Sequence, residues 1–126
     1  MPRSGAQGFT LIELMVVLAI IALLLTVAAP RYFGSLENSK EVTLKQDLAT
    51  MRDAIDKFRG DLGVYPDTLD MLVERRYLRA IPADPITESA TTWRVVAPPE
   101  PEKGKVYDVK SGAIGQARDG TQFGDW

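Results

Sequence analysis

The chain has 126 residues, with 15 Lys plus Arg against 17 Asp plus Glu and neither His nor Cys. That length bounds it at one domain, and a net charge of −2 gives no electrostatic reason to favour nucleic acid. Without Cys there is no disulfide framework or ordinary zinc site. Without His and Cys the commonest general base and the most nucleophilic side chain are missing, and no spacing among the remaining Ser, Lys and Asp suggests a catalytic site.

The first element is apolar. Residues 9–29 are broken only by Thr10, Glu13 and Thr26. As a helix rising ~1.5 Å per residue, this run is roughly 30 Å long, the thickness of a bilayer core. A secretory signal peptide is one reading, with Arg3 in its basic region and Val27-Ala28-Ala29 as its cleavage site. Against it, Pro30 would follow the cut, and the run exceeds the ~7–15 apolar residues usual in such signals. A plain signal anchor is another reading. Neither accounts for Glu13. A central Asp costs ~2.5–3.5 kcal/mol on insertion scales; a Glu nearer the helix end costs less but still demands a partner or a role. Arg3 on a short N-terminus makes N-in, C-out the simplest topology.

Gly8-Phe9-Thr10-Leu11-Ile12-Glu13-Leu14, after a short basic leader, resembles the class III signal of type IV pilins and type II secretion pseudopilins. The resemblance implies that residues 1–8 are a leader removed by prepilin peptidase, between Gly8 and Phe9. It also implies that the new amino group of Phe9 is methylated and that Glu13 becomes the fifth residue of the mature chain. Residues 9–29 are then a transmembrane and assembly helix, and residues 30–126 a periplasmic domain. In a helical filament the Glu13 carboxylate of one subunit can meet the Phe9 ammonium of the next, a pair far better in low dielectric than either charge alone.

Pro30, which also matches the family, lacks an N–H and disfavours helix at Ala29, and Gly34 adds slack. A kink or local unwinding is expected there, in a stretch that can melt in filaments of the family. Beyond it an amphipathic helix is expected at about 35–60. Leu44, Leu48, Met51, Ile55, Phe58 and Leu62 form one apolar stripe. Glu41–Lys45 and Asp53–Lys57 are (i, i+4) pairs in the favourable order. Gly60 or Gly63 ends the helix, giving a stretch about 75 Å long at the standard rise.

A short helix follows at about 67–76, with Asp67 as N-cap, Asp70 three residues on, and Arg75 and Arg76 in the last turn. Arg75, Arg76 and Arg79 could bind an acidic partner, but a solvated basic face is the simpler reading. Ile81-Pro82-Ala83-Asp84-Pro85 is rigid and non-helical. Thr92-Trp93-Arg94-Val95-Val96 and Lys105-Val106-Tyr107-Asp108-Val109 read as an antiparallel hairpin around a proline-stiffened loop, with a third strand near 113–117. The small sheet thus spans about 92–117. Ser111-Gly112 and Asp119-Gly120 mark turns, and Trp126 is expected to pack on the domain. The fold class is α+β: a long N-terminal helix packed on a small antiparallel sheet, type IV pilin-like by resemblance.

Tyr65-Pro66, Leu78-x-x-Ile81-Pro82-x-Asp84-Pro85, a short sheet and a Gly/Asp-rich tail make the chain similar to the major pseudopilins of type II secretion. The lack of Cys favours them over pilus subunits, many of which close this loop with a disulfide. The resemblance implies a homopolymer at the inner membrane. Its expected partners are prepilin peptidase, minor pseudopilins, a platform protein and an assembly ATPase; no nucleic acid is expected. It also implies a possible calcium in the C-terminal loop, with Asp119 and Asp125 as candidate ligands. The family's first Asp ligand falls at Ile114, whose side chain cannot ligate. A type IV pilus subunit, a minor pseudopilin and an anchored binding module are the alternatives.

Overall fold

The computed structural model describes residues 8–126. Arg3 and all of the expected leader except Gly8 lie outside the described residues. The elements in order are helix α1 (Leu11–Leu62), helix α2 (Leu69–Glu74) and strands β1 (Arg94–Val96) and β2 (Asp108–Lys110). Single 3-10 turns stand at Pro101–Lys103 and Phe123–Asp125. The chain divides into two compact units with the boundary between Glu37 and Asn38.

In the N-terminal unit α1 is apolar on every side and buries almost nothing. Leu11, Ile12, Met15, Leu23 and Val27 are all more than half exposed. Helical assignment continues through Pro30 and Gly34, so the expected local unwinding is not found. A single proline removes one hydrogen bond from a ladder that the flanking turns still hold.

In the second unit α1 becomes one-sided. Leu44, Leu48, Met51, Ala54, Ile55 and Phe58 are buried and form one wall of the core. Leu62, assigned to the same stripe from sequence, is instead 45% exposed. It is the last helical residue: Gly63, at φ +77°, follows it and donates its N–H to the Arg59 carbonyl. Gly60 lies inside the helix. The opposite wall is made by Leu72, Leu78, Trp93, Val106, Val109, Ala113, Ala117 and Phe123.

The cap of α2 is Thr68, not Asp67. Its hydroxyl accepts from the Met71 N–H at 3.3 Å. The helix ends at Glu74, so Arg75 and Arg76 lie beyond its last turn. Arg76 takes a left-handed φ of 65°, and the N–H groups of Tyr77 and Leu78 return to the Leu72 carbonyl. Leu78 is thereby turned back into the core, while Arg75, Arg76 and Arg79 stay in solvent.

The hairpin is antiparallel, pairing Arg94 with Lys110, Val95 with Val109 and Val96 with Asp108. No third strand forms at 113–117 among the described residues. Gly115, at φ +120°, breaks the extended path, and Gln116 and Gln122 make only an isolated bridge. The sheet therefore has two strands.

Asp84, read from sequence only as part of a rigid loop, is fully buried. Its carboxylate accepts from the Ser111 hydroxyl at 2.5 Å and from the Ile86 and Thr87 N–H groups at 2.8 and 3.4 Å. The Ser111 hydroxyl accepts in turn from the Ala113 N–H. A buried acid is tolerated because its lone pairs are occupied. The Pro82–Asp84 segment is fixed a second time by the Trp93 indole, which donates to the Pro82 carbonyl at 2.8 Å. Burial and the Asp84 charge together push the Asp47 carboxyl above its ordinary pKa.

Two glycine substitutions separate space from flexibility. A Cβ at Gly112 would collide with the Thr92 carbonyl. Gly112→Ala should therefore cost at least the ~1–3 kcal/mol of an overpacked site, seen as a lower thermal midpoint of the detergent-solubilised chain. A Cβ at Gly60 meets nothing within 4 Å. Gly60→Ala should raise the midpoint, because a mid-helix glycine costs ~0.5–1 kcal/mol relative to alanine.

Candidate functional site

The residues expected to serve processing and assembly stand at the head of α1. Gly8, Phe9 and Thr10 precede the helix and are exposed. Thr10 caps it: its hydroxyl accepts from the Glu13 N–H at 3.1 Å, and its carbonyl accepts from the Leu14 N–H at 3.1 Å. Thr10 and Glu13 thus occupy the N-cap and N3 positions of a capping box, whose threonine half is formed. Sequence reasoning assigned Thr10 no role, although Thr-x-x-Glu ahead of an apolar run is the signal for this motif. Glu13 also lies in the first turn, where the helix dipole favours an acid.

These local interactions leave the charge itself unneutralised. Among the described residues no cation lies within ion-pair distance of the Glu13 carboxylate. The side chains that follow it are hydrocarbon and exposed. An 18-residue window of α1 has a mean hydropathy of 2.9 and none of it is buried, so the helix is long and apolar enough to cross a membrane.

The second group of candidate residues is in the C-terminal loop. Asp119 and Asp125 are both exposed there. The Asp119 carboxylate is occupied from within its own turn: one oxygen accepts from the Thr121 N–H at 3.0 Å and from the Thr121 hydroxyl at 2.6 Å. These bonds hold the Asp119 pKa below the ordinary value. Weak burial opposes the shift and the Lys45 charge assists it. A carboxyl depressed on folding stabilises the fold above its unfolded pKa, and that gain is lost only as pH falls through the lower folded value. The contribution is therefore complete at neutral pH.

Calcium requires six to eight oxygens converging on one point. The side chain expected to begin such a set, Ile114, is hydrocarbon and 97% exposed. Among the described residues no three acidic side chains come together in a group that could hold a metal. The carbonyls of Gly124, Asp125 and Trp126 already accept from Arg94, Lys110 and Arg52 respectively. The donors present do not make a calcium cage.

Residues of α1 reach this loop in a way the sequence did not suggest. Glu41 does not pair with Lys45; its carboxylate accepts from the Arg118 N–H at 2.7 Å. The Lys45 ammonium lies 4.6 Å from the centroid of the Trp126 ring. Arg52 bonds Asp108 at 2.8 Å and the Val109 carbonyl at 3.0 Å, besides its bond to Trp126. Only Asp53 and Lys57 form the helical ion pair expected, at 3.0 Å.

Residues 3–29 match the family model described as the prokaryotic N-terminal methylation motif. Over its whole length the chain is 26% identical to the type II secretion system core protein G of Aeromonas hydrophila, covering 96% of that relative. It is 28% identical to the core protein G of Vibrio cholerae over 94% of this chain and 90% of the relative. It is 32% identical to that of Escherichia coli over 63% of this chain and 66% of the relative. No solved structure matches. The motif at the head of α1, the apolar exposed helix behind it and the similarity of the whole chain to core protein G agree: the chain carries the prokaryotic N-terminal methylation motif and is similar throughout to the core G proteins of type II secretion.

Proposed function

We propose that this chain is a structural subunit that polymerises into a periplasmic pseudopilus and so drives protein export by type II secretion. The observation that carries this reading is an acid, Glu13, without a cation in ion-pair reach among the described residues, in the first turn of a lipid-compatible helix that bears the methylation motif. The helix anchors the subunit in the inner membrane, with the N-terminus cytoplasmic and residues 30–126 periplasmic.

Cleavage after Gly8 frees a cationic amine at Phe9, four residues ahead of Glu13. Methylation of that amine leaves it positive. Neighbouring filament subunits are displaced along the axis, so the Glu13 of one subunit meets the Phe9 amine of another. The pair gains most where water is excluded, and an isolated charge there loses most. The same penalty that makes Glu13 unfavourable in a lone subunit therefore selects the register of the assembly. Pro30 and Gly34 mark where α1 opens when the filament is loaded, because the ladder there already lacks one donor.

The subunit itself performs no chemistry. Prepilin peptidase cuts it, and the new amine is methylated. A cytoplasmic ATPase supplies the work through a platform protein in the inner membrane, and minor pseudopilins join the filament.

The capping role of Glu13 and its charge can be separated. Glutamine at N3 completes a capping box as glutamate does but carries no charge. Glu13→Gln and Glu13→Leu should both insert in the membrane, and both should fail to give filaments under overexpression, as seen by electron microscopy of sheared material. Filaments from Glu13→Gln at the normal level would show that the cap, not the charge, is what assembly needs. Mass spectrometry of the native protein should give a mature chain beginning at methylated Phe9; a chain retaining Met1 would overturn the reading.

A further inference from the structure

The C-terminal loop carries a closed relay of three side chains. The Trp126 indole N–H donates to the Thr121 hydroxyl at 2.7 Å, and that hydroxyl donates its own proton to the Asp119 carboxylate at 2.6 Å. A hydroxyl has one proton and two lone pairs. Spending the proton on an ionised acceptor leaves lone pairs for the indole, and each bond polarises the other. The indole has two further neighbours: the Phe123 ring, in an edge-to-face arrangement with centroids 5.3 Å apart, and the Lys45 ammonium at 4.6 Å from the centroid. Gly120, at φ +89°, closes the turn that brings Thr121 back to Asp119, and the Ala117 N–H donates to the Thr121 carbonyl at 2.7 Å.

The positive charge that the loop carbonyls need is already supplied by side chains. The Trp126 carbonyl oxygen accepts from Arg52 at 2.5 Å and from Lys110 at 3.4 Å, that of Asp125 from Lys110 at 3.2 Å, and that of Gly124 from Arg94 at 2.8 Å. Arg94 also reaches the Ser111 carbonyl at 3.3 Å. Two of these cations, Lys110 and Arg94, come from opposed residues of the hairpin, and the third, Arg52, from α1.

We propose that the loop is held shut by this fixed set of side chains, Asp119–Thr121–Trp126 with Lys45, Arg52, Arg94 and Lys110, in place of a bound calcium ion, so that folding of the subunit is independent of calcium. The hydroxyl of Thr121 is the positioning element, since it alone joins the acid to the indole. The inference concerns one subunit and does not rest on filament formation, so failure of either reading leaves the other testable.

The test uses the full chain in detergent. Its thermal midpoint should be the same, to within about a degree, in excess chelator and in millimolar calcium. Thr121→Val, which keeps the shape and removes the hydroxyl, should lower the midpoint by roughly 4–8 °C. It should also speed hydrogen exchange of the Trp126 indole N–H about tenfold or more, the factor that corresponds to ~1.4 kcal/mol. Thr121→Ser should restore both. A calcium-dependent rise of several degrees in the unmodified chain would overturn the proposal, as would a Thr121→Val chain equal to the parent in both midpoint and indole exchange. The calcium comparison needs no variant and stands even if Thr121→Val does not fold.

Discussion

One helix has to suit two solvents, and the rest of the structure follows from that constraint. Up to about residue 29, α1 presents hydrocarbon all round, which suits lipid and no aqueous surface. From Leu44 onward it presents hydrocarbon on one stripe only, and everything C-terminal is arranged to cover that stripe. The small domain has little else to fold around. Its sheet is two strands of three residues, too short to be stable without a partner surface.

The constraint also explains where polar groups are allowed. In the apolar segment a side chain can satisfy itself only through its own helix. Thr26 does so by donating to the Leu23 carbonyl at 2.6 Å, and Thr10 does so by capping. Glu13 cannot, because a charge needs an opposite charge and the helix offers only the weak positive end of its dipole. Of the polar groups in that segment, Glu13 is the one whose charge no described residue neutralises.

Periodicity and composition were enough to place α1, its apolar head and the stripe from Leu44 to Phe58. These features depend on the order of residues along one helix. The methylation motif was legible by resemblance, because its residues are contiguous in the sequence. What escaped depends on residues far apart in sequence. Asp84 reads as a loop acid until Ser111, 27 positions later, is folded against it. Asp67 and Thr68 are both good caps, and the choice between them is made when Leu72 is turned into the core. The expected third strand at 113–117 needed an extended path that Gly115 does not take. At Asp119 the sequence showed a turn but not its use, because the indole that completes the relay lies at Trp126.

Glu41, Lys45 and Arg52 show why a helix surface cannot be read from helical rules alone. They are spaced four and seven residues apart, so they lie in one row along α1. That row borders the apolar stripe, since Leu44, Leu48 and Met51 are each within one turn of it. A solvent-exposed pair between Glu41 and Lys45 would contribute only ~0.3–0.5 kcal/mol. By turning to Arg118 and Trp126 instead, the two side chains each find a partner on the loop that closes over the stripe. Arg52 is half-buried and satisfies an acid and two carbonyls at once, bonds that are worth more there than in open water. The apolar stripe thus specifies what α1 buries, and the polar row beside it specifies how the covering loop is seated. Both are written into the same stretch of helix, from Glu41 to Phe58, which is why so short a domain can settle on one arrangement around it.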